Sequence, residues 1–189
     1  MTRTDQASPV EPGTTVKTTA NGAGQQRGKS RALYTADQRV RRDESVWTIV
    51  QGVLAPLQFL VFLVSLGLVL RTLTTGEGAY AADVSIVIKT LVLYTIMVTG
   101  SIWEKVVFGK WLFAEAFFWE DVFSMLVLAL HTLYLVLLFG NHGTLEQRLL
   151  VALAGYAAYV INAGQFLWKL RMARLEGTRA ESPRQAVTA

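Results

Sequence analysis

Hydrophobic positions along this chain gather into four long blocks instead of recurring at the short intervals of a soluble core. Trp47–Leu70, Val84–Val107, Val122–Phe139 and Leu149–Leu170 are each close to or above the roughly 18–20 residues that cross a bilayer. Helix is the state such blocks predict, because lipid offers backbone groups no partners and four segments cannot close a barrel. The expected fold is therefore all-α, a polytopic membrane protein built as a four-helix transmembrane bundle. Spans are expected at about 47–70, 84–107, 119–139 and 149–170, inside a membrane domain covering residues 33–175. Residues 1–32, rich in Thr, Gly, Gln and Pro, are expected to be a disordered tail, and 176–189 a polar C-terminal tail. The first thirty residues lack the apolar centre of a signal peptide, so the first block reads as a retained span.

Local signals refine this outline. Thr35-Ala-Asp-Gln38 has the form of a capping box and predicts a short helix from Ala36 toward Glu44. Tyr34 and Trp47 read as interfacial anchors. Pro56 frees the carbonyl of Gly52 and predicts a kink in the first span. Ala154 and Ala158 offer a small-xxx-small contact in the fourth. Loops are expected near 71–83 and 140–148, short enough to exclude a further domain.

Polar residues mark one face of each span. Gln51, Gln58 and Ser65 recur every seven residues in the first. Thr90, Tyr94, Met97, Ser101 and Glu104 form a stripe in the second, and Glu120, Ser124, Val127, His131 and Tyr134 in the third. In the fourth, Asn162, Gln165 and Lys169 share a side. Any single Ser, Thr or Gln of this kind is most simply glue between helices. Four stripes together predict a polar site inside the bundle.

Charge orients the bundle. The net charge of +4 is not spread as a nucleic-acid footprint, and no nucleic acid is expected as a partner. Arg31, Arg39, Arg41, Arg42, Lys105, Lys110, Lys169, Arg171, Arg174 and Arg179 flank one set of span ends, whereas only Arg71 and Arg148 flank the other. That asymmetry predicts that both termini lie in the cytoplasm. The absence of cysteine excludes disulfides, thiolate ligands and iron–sulfur clusters. One intramembrane histidine cannot supply both axial ligands of a b-type haem, and neither a dinucleotide fingerprint nor a phosphate loop is present. Neither a cofactor nor a protein-held metal is expected.

Depth then sorts the polar groups into two layers. Glu104, Lys105, Glu120, Asp121 and Lys169 form a cytoplasmic rim. His131 lies about 16 Å deeper than Glu120 at the helical rise of 1.5 Å per residue. Gln58, Tyr94, His131 and Asn162 form a layer near the middle of the membrane. Each member also has a bland reading. Glu120 and Asp121 favour a helix N-terminus by charge alone and, being adjacent, cannot face one another. His131 reads equally well as a neutral imidazole bonded across to Gln58 or Asn162. Lys89 is placed close to the outer surface, where it can snorkel.

Four stretches carry a resemblance. VQGVLAPLQFLVFLVSLGLVLR, KTLVLYTIMVTGSIWEKVVFG, AFFWEDVFSMLVLALHTLYL and YVINAGQFLWKLR resemble the 3-vinyl bacteriochlorophyllide hydratases of anoxygenic phototrophic bacteria, over roughly residues 33–175. The resemblance implies a hydro-lyase that adds water to the 3-vinyl group of chlorophyllide or bacteriochlorophyllide, in bacteriochlorophyll a synthesis. The substrate would bring its own magnesium, and lipid would surround the bundle. A homo-oligomer or a complex with other pigment-synthesis enzymes fits the same reading. Hydration needs an acid for the terminal vinyl carbon and a base for the attacking water. Glu120 is the first candidate acid/base, with Asp121 or Glu104 positioning water. His131, Gln58, Tyr94, Asn162 and Lys169 are candidate substrate contacts, His131 as a ligand of the pigment's magnesium. The reverse pose, with a deep vinyl group near His131 and the propionate at Lys169, fits nearly as well. A non-catalytic pigment or quinone carrier, or an assembly factor for photosynthetic complexes, is the alternative from another class.

Overall fold

A computed structural model describes residues 33–185. Helix α1 spans Ala36–Glu44, α2 Val46–Thr75, α3 Ala79–Phe108, α4 Phe118–Phe139 and α5 Leu145–Gln185. Among the described residues there is no strand, so the all-α expectation holds. Helices α2, α3, α4 and the Leu145–Met172 part of α5 are long and apolar enough to cross a membrane.

Helix α1 begins as its sequence dictates. Thr35 caps it, accepting from the Gln38 amide, while the Gln38 side chain accepts from the Thr35 amide at 2.9 Å. Thr144 and Gln147 repeat the device at the start of α5, in a T-x-x-Q pattern readable from sequence. Helix α2 runs through Pro56 as one element. Tyr34 is buried instead of anchoring at an interface, stacking on Phe108 with centroids 5.7 Å apart.

The loops are shorter than expected. Residues 76–78 alone join α2 to α3, where Gly76 and Gly78 take φ of +74° and +82°. Residues 140–144 alone join α4 to α5. Hydropathy stopped the expected spans where Arg71, Thr72 and Asp83 appear, but helical hydrogen bonding continues past the apolar run on both sides.

The helices pair as two close hairpins, α2 with α3 and α4 with α5, while α3–α4 and α2–α5 touch over shorter stretches. Polar groups point inward and apolar ones outward. Gln58, Ser65, Lys89, Thr90, His131 and Asn162 are buried, whereas Leu60, Val64, Leu91, Val98, Leu126 and Leu167 are exposed. That inversion suits a solvent of hydrocarbon, where apolar packing alone has no drive and small residues bring backbones together. Glu120, Ser124, Val127, His131 and Tyr134 are all buried on α4, spaced like a coiled-coil seam. On α5 the small-residue face is Ala152, Gly155 and Ala158, not the expected Ala154, which is exposed.

Gly155 sets the spacing of α4 and α5. A Cβ added there would lie 2.9 Å from His131 Cε1, whereas one at Gly164 would meet nothing within 4 Å. Gly155→Ala is therefore expected to lower the thermal midpoint in detergent, because crowding outweighs the roughly 0.5–1 kcal/mol that alanine gains in a helix. Gly164→Ala should leave the midpoint unchanged or raise it. Equal midpoints for the two variants would remove Gly155 from this role.

Candidate functional site

The end of the bundle that carries α1 holds three buried carboxyl groups among the described residues. Glu104 lies about one turn before the end of α3, and Glu120 and Asp121 open α4; all three are buried. Their arrangement differs from the expectation of one acid with helpers. Glu104 and Asp121 meet across the α3–α4 seam, their carboxyl groups within hydrogen-bonding reach of each other. Glu120, pointing elsewhere from the same turn, forms an ion pair with Lys169 of α5 at 2.5 Å.

The α3–α4 connection is tied to the carboxyl pair through its backbone. The Phe113 amide donates to Asp121 Oδ2 at 2.7 Å and the Ala114 amide to Glu104 Oε2 at 3.3 Å. Successive amides cupped on negative oxygens form a small anion-binding nest. Phe113 takes a φ of 59°, a conformation disfavoured for a bulky side chain and held here by its neighbours. Behind the loop, Phe117 is buried among Tyr34, Trp103, Phe108 and Phe166. Lys169 also donates to the Ala116 carbonyl and lies 5.0 Å from the Phe117 ring centroid, so the expected substrate-binding lysine is already engaged.

The deeper layer is partly as expected. His131, Gln58 and Asn162 are buried, but Asn162 donates to Ser124 at 2.8 Å and not to His131. His131 Nδ1 lies 2.8 Å from the Val127 carbonyl, its own helix's backbone. Because a carbonyl only accepts, Nδ1 carries the hydrogen, and in the neutral ring Nε2 keeps its lone pair. Tyr94 lies apart from these three. It is half-buried, and its hydroxyl pairs with Thr132 at 2.8 Å on the outer side of the α3–α4 contact, away from His131.

Lys89 is a larger correction. It is fully buried, not snorkelling, with its ammonium 4.4 Å from the Tyr159 ring centroid. The error came from the loop boundary. Helix α3 starts at Ala79, so Lys89 is ten residues into the helix and about 15 Å along it. The better signal was the charge itself, since an ionisable residue within a span is by default a functional candidate. The sequence reading also missed the contacts Tyr134–Asp83 at 2.6 Å and Ser65 with Ser85 and Tyr156 at 2.7 and 2.5 Å.

Several buried polar atoms have no hydrogen-bond partner: Gln58 Nε2 and Oε1, Lys89 Nζ, His131 Nε2, Asn162 Oδ1 and Gln165 Oε1. Each such group costs on the order of 1–3 kcal/mol in a protein interior. Among the described residues, no group of three or more acidic or histidine side chains is placed to hold a metal.

This inward polarity defines a multi-pass membrane protein whose bundle encloses an acid pair and a set of unsatisfied polar groups. Beyond that class, the chain belongs to the 2-vinyl bacteriochlorophyllide hydratase family, whose model matches residues 34–172. It is the family that the sequence resembles, its vinyl position numbered 2 in this name and 3 in the other. The chain is 67% identical over 153 residues to a 2-vinyl bacteriochlorophyllide hydratase of Cereibacter sphaeroides, covering 80% of this chain and 94% of that protein. It is 64% identical over 152 residues to the protein of the same name in Rhodobacter capsulatus, covering 80% and 88%. No solved structure matches the chain.

The Glu120–Lys169 pair provides a direct test of the rim. Lys169→Met leaves a buried carboxylate without its cation and is expected to cost about 2 kcal/mol. Adding Glu120→Gln should recover most of that loss. Denaturation of the three proteins in the same detergent measures it, and a double variant no more stable than Lys169→Met would separate the two residues energetically.

Proposed function

We propose that this protein adds water across the ring-bound vinyl group of chlorophyllide or bacteriochlorophyllide, giving the 3-(1-hydroxyethyl) derivative in bacteriochlorophyll a synthesis. Membership of the hydratase family supports the reaction, and the Glu104–Asp121 pair is the observation that carries its mechanism. Two carboxylates have no hydrogen to share, so a hydrogen bond between them holds one proton. The protonated member gives that proton to the terminal vinyl carbon. The resulting cation, on the carbon joined to the ring, is spread over the conjugated macrocycle. Water forms the new C–O bond there, and its surplus proton passes to the carboxylates. The pair ends with the single proton with which it began.

This division of labour shifts the acid role from Glu120 to the pair. Glu120, bound to Lys169, becomes a positioning residue that fixes the start of α4. Lys169 becomes its partner instead of a substrate contact. His131 Nε2 keeps a free lone pair, a polar contact for the deep side of the pigment. Gln58 and Asn162 offer polar atoms at the macrocycle edge. The flat apolar ring reaches the site from the lipid between the two hairpins, whose contacts with each other are sparse compared with those inside each hairpin.

Glu104→Gln and Asp121→Asn should each reduce hydration about 10²-fold or more while pigment is still bound. Glu120→Gln should lose less. Membranes with matched protein levels, incubated with vinyl pigment in ¹⁸O-labelled water, report the product by mass spectrometry. A fully active Glu104→Gln would overturn the pair. Failure of the unaltered protein to incorporate label would favour the carrier reading.

The basic residues at the α1 end support an inner-membrane protein with both termini in the cytoplasm. Reporter fusions at Gly78 and Gly143, both in turns between spans, should then register the periplasm. A cytoplasmic signal from either position would reverse the orientation.

A further inference from the structure

Among the lysines and arginines of the described residues, Lys89 is the one buried outright, although Arg148 Nε is also without a hydrogen-bond partner. Its side chain is fully buried on α3, and Nζ donates to no protein atom. Lys169 by contrast reaches Glu120, and Lys105 reaches the Gly109 carbonyl. Around Nζ stand the rings of Tyr159, Tyr156 and Phe62, at 4.4, 5.3 and 5.9 Å from their centroids. Aromatic faces attract a cation without neutralising it. No carboxylate of the described chain pairs with it. The Tyr156 hydroxyl of this aromatic box is already bonded to Ser65 at 2.5 Å.

Three facts place this cation in one chamber with the rest of the deep layer. The Tyr156 ring lies 5.7 Å from His131 as well as 5.3 Å from Lys89 Nζ. Phe62, beside Nζ, is one turn along α2 from Gln58, whose amide is buried with both polar atoms unpaired. His131 Nε2 is likewise without a partner. An ammonium, a lone-pair nitrogen and an amide thus converge where hydrocarbon surrounds the bundle.

We propose that Lys89 receives the propionate carboxylate of the tetrapyrrole, so that the pigment enters with its acidic side chain pointing deep and its vinyl group at the carboxyl pair. This rests on the hydratase reading and adds to it the direction in which the substrate lies. The cations of the α1 end suit the carboxylate less well, because Lys169 is committed to Glu120 and Lys105 to the backbone. Asp121 and His131 are ten residues apart on α4, about 15 Å along the axis, an interval that a macrocycle and its side chain bridge. In the opposite orientation the propionate would sit beside three carboxyl groups and leave the buried ammonium without an anion.

The full-length protein in lipid nanodiscs, given a vinyl chlorophyllide either as the free acid or as its propionate methyl ester, tests this. The unaltered protein should bind the acid at least tenfold more tightly than the ester. Lys89→Met should erase that preference by weakening the acid alone, and Lys89→Arg should retain it. An unaltered protein that holds acid and ester equally overturns the proposal, whether or not any Lys89 variant folds. So does Lys89→Met losing acid and ester to the same degree, the mark of a packing role or of a carbonyl partner. Hydration measured in parallel separates the two readings: equal turnover of acid and ester removes the role of Lys89 alone. A protein that hydrates neither pigment removes the reaction and this inference with it.

Discussion

A carboxyl group buried inside a hydrocarbon-facing bundle must find its partners within the protein, and that constraint organises the α1 end. Three such groups lie there, and each solves the problem differently. Glu120 takes a cation from α5, while Glu104 and Asp121 take each other and two backbone amides. These contacts link α3, the following loop, α4 and α5. The left-handed Phe113 follows from the same requirement, since its amide has to point back at Asp121. Where the hairpins otherwise touch sparsely, the acids hold the seam closed.

The deeper layer obeys the same constraint with the opposite outcome. Ser65, Ser85 and Tyr156 satisfy one another, and Asn162 satisfies Ser124. Lys89, Gln58 and the outer nitrogen of His131 are left over. Unsatisfied polar groups lower stability in the unliganded bundle, but a ligand that completes them binds with that same energy. A rim with its bonds complete and a middle with bonds open is the order expected when chemistry happens at one level and recognition at another.

Much of this was legible in the sequence. Span length and the absence of partners in lipid were sufficient for the helical bundle, and the four-three spacing from Glu120 to Tyr134 identified the buried face of α4. The position of each span end was not legible, because hydropathy falls at Arg71 and Asp83 while helical hydrogen bonding does not. That single misplacement made Lys89 look superficial. Tyr94 is less buried than its stripe suggested for a related reason. On α3 the buried positions include Lys89, Thr90, Leu93 and Glu104, and Tyr94 falls one position beyond Leu93 although both ends of its stripe are buried. The encounter of Glu104 with Asp121 depends on how two helices meet, which no periodicity within one helix encodes.

An acid pair also suits the electrostatics of the proposed reaction better than a lone carboxylic acid. When one proton leaves for the vinyl carbon, the pair gains a negative charge as the macrocycle gains a positive one. Attraction between charges is several-fold stronger in a water-excluded site than in bulk, so the anionic pair stabilises the cation it has just created. The Phe113 and Ala114 amides bear on those same oxygens and take up part of the added charge without any rearrangement. Glu120 and Lys169 are formally neutral together and add little field of their own. Were Lys169 free beside the pair, its charge would oppose the cation. Its bond to Glu120 is therefore part of the chemistry even though neither residue touches the vinyl group.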